Sequence, residues 1–458
     1  MQKEVLDFLK QLEKSKVLDE TFLLKELYEI TQGKSPVEIV SKSIEKAERE
    51  TIRYNDFITI TKELALDQAN KLENGMLKKL QISNLAGIPI SLKDIIYTTF
   101  ARTTMASKIF SDYIPEYNAE IVNKLISEDS CIIGKTNLHE FASGITGLSS
   151  YFGPAHNPYD ISRIAGGSSS GSAVSVATGS SLVSIGTDTR GSIRVPASFC
   201  GIVGFKPTYN TVSTEGIFPL APSFDTVGIM TKRVLDAAYV YYLISKEKFD
   251  LASLINEIEP SRIKIAYINN KESEVEKQID KDIEKLRSEG IEFNEIDLNI
   301  SEMSELHRII RLVEASEIHE KIYTKRKGDY AEDVAKLIED GLKITAVEYV
   351  RAQKLRDYYL KLLQRIFKSY DVVLTPTVYN IAPKIEEFKN VDIHLQFRAK
   401  STFYISFPSY LGLPAISLPI GKYNDLPYGI QVTSDLRKDS DLLNLSYNLE
   451  KIIKFFNE

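Results

Sequence analysis

The sequence is poor in the residues that staple or metallate a chain. Two cysteines in 458 residues cannot build a disulfide framework and are too few for a thiolate zinc cluster. The five histidines (139, 156, 307, 319, 394) are scattered. His139 is followed by Glu140, but Ser143 stands where a zinc-binding H-E-x-x-H helix needs its second histidine. No metal site and no cofactor are therefore expected. Long apolar runs are also missing. The longest stretch, around 197–205, falls far short of the roughly 18 residues of a membrane span and is broken by Gly201 and Gly204. The first twenty residues are charged throughout and lack the apolar centre of a leader, so a cytoplasmic protein without a membrane partner is expected. No charge sign dominates: 57 basic against 63 acidic side chains give −6, which argues against direct contact with nucleic acid.

What is present is ordinary globular composition, with 43% hydrophobic and 26% charged residues, enough to offset the entropy of ordering. Length alone suggests roughly three domains. One feature is uneven. Of 23 glycines, 13 lie between Gly134 and Gly216, and eleven serines fall within 162–198. Such a segment is either a flexible linker or a place where backbone approaches a ligand closely.

Hydrophobic periodicity predicts amphipathic helices over 3–14, 20–31 and 36–50, within an N-terminal helical part spanning 1–75. GIPISL, ending at Lys93, reads as a buried strand, residues 118–129 as a helix, and CII (131–133) as a strand closed by Gly134. A glycine-serine loop, a small-residue helix (SAVSVATG) and a strand (LVSIG) follow. RIKIAYI, a charged helix near 273–289 and IEFNEIDL form a β-α-β unit; 245–300 is either an insertion or a continuation of one sheet. Helices over 302–325, 329–342 and 346–368, strands DVVLTP and PAISLPIG, and a closing helix complete the chain. The alternation implies an α/β fold: one large mixed sheet flanked by helices on both faces.

Three short motifs fail on inspection. The GKT of IIGKTN lacks a Walker A loop's first glycine, since Asp129 stands there, and reads instead as a turn with a solvated lysine. No G-x-G-x-x-G opens a helix. Residues 167–171 satisfy G-x-S-x-G, but the preceding NPYDISRIAG is loop rather than strand. A better constellation joins Lys93, Ser168 in GGSSSGSA and Ser192 in GTDTRGSIRVPAS. A serine hydroxyl needs a base, and a lysine kept neutral by burial can serve. Asp94 would work against this, but on extended backbone its side chain points away from that of Lys93. Backbone N–H groups ahead of the RVPAS helix can cradle an oxyanion.

At these residues the chain resembles the amidase signature family. The match runs from AGIPISLKD through IIGKTNLHEFASG, FGPAHNPYD and GGSSSGSA to GTDTRGSIRVPASFCGIVGFKPTYNTVS, and resumes at AVEYVRAQKLRDYY, YDVVLTPT and LGLPAISLPIG. It is densest over 85–230. The resemblance implies a Ser-cisSer-Lys triad: Ser192 as nucleophile and acyl carrier, Ser168 as the bridging serine held through a cis peptide bond, and Lys93 as base. It places Thr189, Arg190, Gly191 and Ser192 around the oxyanion, with Gly167, Ser169, Asp188 and Arg194 in support, and gives His139 no catalytic role. Two positions depart from the pattern. Ser170 and Arg190 stand where the family commonly has glycine, and the Arg190 side chain is expected to point away harmlessly rather than bind an anionic substrate group or weaken activity.

The resemblance implies a single amidase domain over 1–458 that hydrolyses a small-molecule amide to the acid and ammonia or amine. It leaves room for a homodimer. The A-type subunit of a tRNA-dependent amidotransferase, supplying ammonia from glutamine with partner subunits, is similar at KDIIYTTFARTTMASKI. Against it, the segment after Lys135 lacks that subgroup's acidic-then-Ser/Asn run, and 329–356 lacks its tyrosine-rich pattern. A non-catalytic scaffold is disfavoured because Lys93, Ser168 and Ser192 are all present. Segments 302–345 and 377–405 are expected to line the substrate pocket. The aromatic residues Phe397, Phe403, Tyr404 and Phe407 suit either an apolar acyl group or the core.

Overall fold

A computed structural model describes residues 1–77 and 82–457, with side chains as far as Ile453. Eleven strands form one sheet. They are β1 (Phe57–Ile60), β2 (Pro89–Lys93), β3 (Cys131–Thr136), β4 (Val183–Thr187), β5 (Val203–Lys206), β6 (Val227–Thr231), β7 (Lys264–Tyr267), β8 (Glu292–Glu295), β9 (Val372–Pro376), β10 (Ala415–Tyr423) and β11 (Leu426–Thr433). Their spatial order is β1-β3-β2-β4-β6-β5-β10-β11-β9-β7-β8. β3, β2 and β4 are parallel, as are β9, β7 and β8, and antiparallel pairs join these two groups.

The sheet is flanked by helices. They are α1 (Lys3–Lys14), α2 (Leu23–Thr31), α3 (Pro36–Tyr54), α4 (Lys62–Leu77), α5 (Glu120–Ser127), α6 (Ser170–Thr178), α7 (Arg194–Phe199), α8 (Val234–Ile244), α9 (Glu274–Ser288), α10 (Ile300–Arg326), α11 (Glu332–Gly341), α12 (Ala346–Ile366), α13 (Val391–Ser401), α14 (Phe403–Leu411) and α15 (Asp439–Asn457). Local chemistry sets several starts. Ser35 caps α3 by accepting the Glu38 N–H at 3.1 Å, with Pro36 in the first turn. Reciprocal Ser273/Glu276 and Thr345/Glu348 boxes open α9 and α12. None of the described helices is long and apolar enough to cross a membrane.

The sheet differs from the sequence expectation in four places, the first being β1, which lies inside the 1–75 part read as helical. β3 does not close at Gly134 but runs to Thr136, and a Cβ at Gly134 would meet the Thr59 carbonyl of β1 at 2.5 Å. The central strands β5 and β6 lie outside the predicted strands, because they are buried on both faces and show no alternation. The β10–β11 hairpin turns on Asn424 and Asp425, both at positive φ, a two-residue turn whose Asn-Asp signal the sequence does carry. The charged segment after 245 continues the sheet through β7 and β8.

Candidate active site

Lys93 is the last residue of β2, a strand buried along its whole length. Its ammonium group is fully buried and donates to Ser168 Oγ and Thr187 Oγ1, each at 2.8 Å. Burial pulls its pKa from 10.5 down to about 7, against the opposing pull of Asp188 and Asp225. Asp94 does point the other way. It accepts the Thr104 N–H at 2.9 Å and pairs with Lys135 at 3.0 Å. Lys135 is therefore not the solvated lysine expected of the GKT turn: it is fully buried and also donates to Thr103 Oγ1 at 2.6 Å.

Ser168 follows a cis Gly167–Ser168 peptide and sits just ahead of α6. Its carbonyl accepts the His139 N–H at 3.0 Å. The His139 ring lies against Asp333, with Nε2 3.0 Å from Oδ2. The helix behind Ser168 packs so closely that a Cβ on Gly171 would lie 2.1 Å from the Asp56 carbonyl. The departing residue Ser170 is buried within the same turn.

Ser192 lies just ahead of α7, and its carbonyl accepts the Ser169 N–H at 3.2 Å, which draws the two serine loops together. Ser169 Oγ donates to the Thr187 carbonyl at 3.2 Å. Ser192 is 4% exposed, and its Oγ has no protein hydrogen-bond partner among the described residues. The turn before it needs glycine: Gly191 has φ +90°, and a Cβ there would strike Ile405 at 2.4 Å.

Asp188 organises that turn. It accepts the N–H of Gly191 at 2.7 Å and of Ile193 at 3.2 Å, and both carboxylate oxygens take a guanidinium N–H of Arg194 at 2.9 Å. Burial pushes its carboxyl up, but Arg194, Lys206 and the Gly191 N–H together hold it below the ordinary range. The Gly191 N–H, expected around the oxyanion, is thus directed to Asp188. The N–H groups of Thr189, Arg190 and Ser192 have no protein acceptor among the described residues.

Sequence reasoning missed several members of this neighbourhood. Thr187 is the second acceptor for Lys93. Asp225 accepts Thr189 Oγ1 at 2.6 Å and the N–H groups of Leu220 and Ala221. His307 Nε2 lies 3.0 Å from the Thr189 carbonyl. Thr187 lies within the GTDTRGS run itself, whereas no motif marks Asp225 or His307. Arg190 is 6% exposed, and its side chain donates to Ser304 and Ser406. A cavity of about 220 Å³ reaches the site at Thr187 and Thr189 and is walled by Tyr209, Phe218 and Asp225. Its lining contains no residue from 302–345 or 377–405. Phe397, Tyr404 and Phe407 are core residues, with Phe403 packed beside them. Among the described residues, no group of three or more His, Cys, Asp or Glu is arranged to hold a metal ion.

A buried lysine, two serine loops and three backbone N–H groups without a protein acceptor among the described residues thus meet at the carboxyl ends of parallel strands, where α/β sheets bind their ligands. The chain belongs to the amidase signature family: the Amidase family model matches residues 38–443. It is 35% identical to the A-type subunit of glutamyl-tRNA(Gln) amidotransferase from Sulfolobus acidocaldarius, covering 92% of this chain and 96% of that protein. It superposes on an amidase crystal structure with a TM-score of 0.86 at 30% identity, covering 94% of this chain and 99% of that one. Against the corresponding amidotransferase polypeptide of Thermotoga maritima the TM-score is 0.75, also at 30% identity, with 91% of each chain covered. The protein is an enzyme acting on amides.

Proposed function

We propose that this chain, as a single amidase domain, cleaves a carboxamide through an acyl-enzyme on Ser192 and releases ammonia in the manner of an amidotransferase's A-type subunit. The observation that carries the chemistry is the fully buried Lys93 Nζ at 2.8 Å from Ser168 Oγ. Neutral Lys93 takes the proton of Ser168 as Ser168 takes that of Ser192, whose Oγ attacks the amide carbonyl. The N–H groups of Thr189, Arg190 and Ser192 receive the oxyanion. Collapse of the tetrahedral intermediate expels the amine, which recovers a proton through Ser168. Water then repeats the sequence and frees the acid. The residues require no cofactor in these steps.

Delivery of the ammonia to partner subunits is supported by the relatives, which include A-type subunits from Sulfolobus acidocaldarius, Desulforamulus reducens and Fusobacterium nucleatum at 32–35% identity. A stand-alone amidase is the second reading, favoured by the closer superposition on an amidase at equal identity. The test is turnover of glutamine and of simple amides by wild type and Ser192→Ala, with a fluorophosphonate probe reporting Ser192. Hydrolysis retained in Ser192→Ala would overturn the mechanism. Co-purification with partner subunits decides between the two readings.

A further inference from the structure

The loop from His139 to Ser149 packs against the bridging-serine loop and is tied at both ends to one distant carboxylate. The His139 N–H donates to the Ser168 carbonyl at 3.0 Å. Further along, a Cβ on Gly147 would lie 2.7 Å from the Gly166 carbonyl, and one on Gly167 would lie 2.8 Å from the Gly147 nitrogen. The two segments therefore meet backbone to backbone, so a shift in one is passed to the other.

The 139–149 loop holds a conformation that its residues do not favour. Phe141 and Ala142 have φ of 50° and 55°, left-handed values that cost free energy in residues carrying a Cβ. Such backbone persists only where its surroundings over-determine it. The groups that do so come from α11 and α13. Asp333, in the first turn of α11, is 7% exposed. Its Oδ2 lies 3.0 Å from His139 Nε2 and 3.8 Å from His394 Nδ1. Its Oδ1 accepts Ser149 Oγ at 2.6 Å. The His139 ring in turn packs on Gly144, where a Cβ would lie 2.2 Å from it. Between the two ends, Glu140 accepts the Ala331 N–H at 2.8 Å, and the Ser143 carbonyl accepts Arg398 Nη1 at 2.9 Å. Burial raises the Asp333 carboxyl, but His139, Ser149 and His394 together hold it well below the ordinary carboxylate range, so both oxygens stay acceptors.

We propose that Asp333 is a positioning residue for the bridging serine. By gripping His139 and Ser149 it fixes the 139–149 loop, and through the His139 N–H and Gly147 that loop fixes Ser168 Oγ against Lys93 Nζ. The assignment rests on amide cleavage through Ser192, Ser168 and Lys93. Asp333 acts on the alignment of the relay and not on the substrate, so its effect falls on kcat rather than KM.

The experiment measures kcat and KM on an amide that wild type cleaves, the rate and extent of fluorophosphonate labelling at Ser192, and amide hydrogen exchange in peptides covering 139–149 and 166–171. Asp333→Ala should lower kcat by about 10- to 100-fold with KM unchanged, the scale of a small misplacement of a reacting group. Labelling should slow by a similar factor yet still reach completion, whereas a merely structural loss would lower the labelled fraction. Asp333→Asn keeps the shape and one acceptor oxygen, so kcat should return to within about fivefold of wild type, as a charge-assisted contact becomes a neutral one. Ser149→Ala frees one end only and should fall between wild type and Asp333→Ala, again in kcat; it carries the same test if Asp333→Ala does not fold. An unchanged kcat, a loss carried by KM, or a labelled fraction that accounts for the whole loss would overturn the proposal. If wild type neither cleaves an amide nor labels, the proposed function fails, and exchange decides the role of Asp333: faster exchange at 166–171 in Asp333→Ala supports it, and unchanged exchange there refutes it.

Discussion

The sheet holds two parallel triplets built alike. At one end β3-β2-β4 present Lys93 and Thr187 at their carboxyl ends; at the other, β9-β7-β8 present Asn270, Asp297 and Tyr379 just beyond theirs. Ligands of α/β sheets bind in such crevices, so topology alone nominates both. The second end even holds the larger cavity, about 1110 Å³ against about 220 Å³. The difference lies in what the loops carry. At the first end glycine and serine let backbone donors face inward beside a lysine stripped of water. At the second, Glu272, Glu276, Lys400 and Asp297 line an open, polar cleft. The proposed chemistry follows the desolvated lysine rather than the volume.

Removing that base or the nucleophile is the sharpest way to break the contrast. Lys93→Met and Ser192→Ala should each lower kcat by at least about 10³-fold, as members of a relay act as a unit. Steady-state turnover of a confirmed amide checks this, and an active Lys93→Met enzyme would remove the reason for preferring the first crevice. Next in size is Asp188→Asn. It leaves Arg194 fully buried without its carboxylate, so stability should fall by about 3–5 kcal/mol in urea unfolding. An unchanged midpoint would mean the turn holds its shape without this pair.

Much of the first crevice is legible in the sequence because its parts are short and contiguous. Lys93 closes an apolar strand, and the two serine loops carry glycines where φ or close packing demands them. What is not legible depends on residues far along the chain. Lys135 reads as solvated until β3 pairs with β2 and brings Asp94 against it. Arg190 reads as an ornament of its loop until α10 and α14, more than a hundred residues away, supply Ser304 and Ser406. The central strands β5 and β6 are hidden for another reason: buried on both faces, they lose the period-two pattern that marks a half-exposed strand.

The contrast also predicts a pH dependence. With its pKa pulled to about 7, Lys93 is mostly protonated below that point and mostly neutral above it. Only the neutral amine accepts a proton. So kcat/KM should climb up to tenfold per unit from pH 5 towards 7, then level off. A flat profile across that range would remove Lys93 as the base.

The mildest test falls on the second crevice. Ser273 caps α9 there by accepting the Glu276 N–H at 3.1 Å, while Glu276 accepts the Ser273 N–H at 2.7 Å. Ser273→Ala removes one cap, which should cost about 1 kcal/mol in unfolding free energy. Because no step of the relay reaches β7 or β9, kcat and KM should stay within error of wild type. A tenfold fall in turnover, with only this small loss of stability, would tie the larger cavity to the chemistry. The two ends of the sheet would then share one function, and the desolvated lysine would no longer explain why catalysis belongs to the smaller crevice.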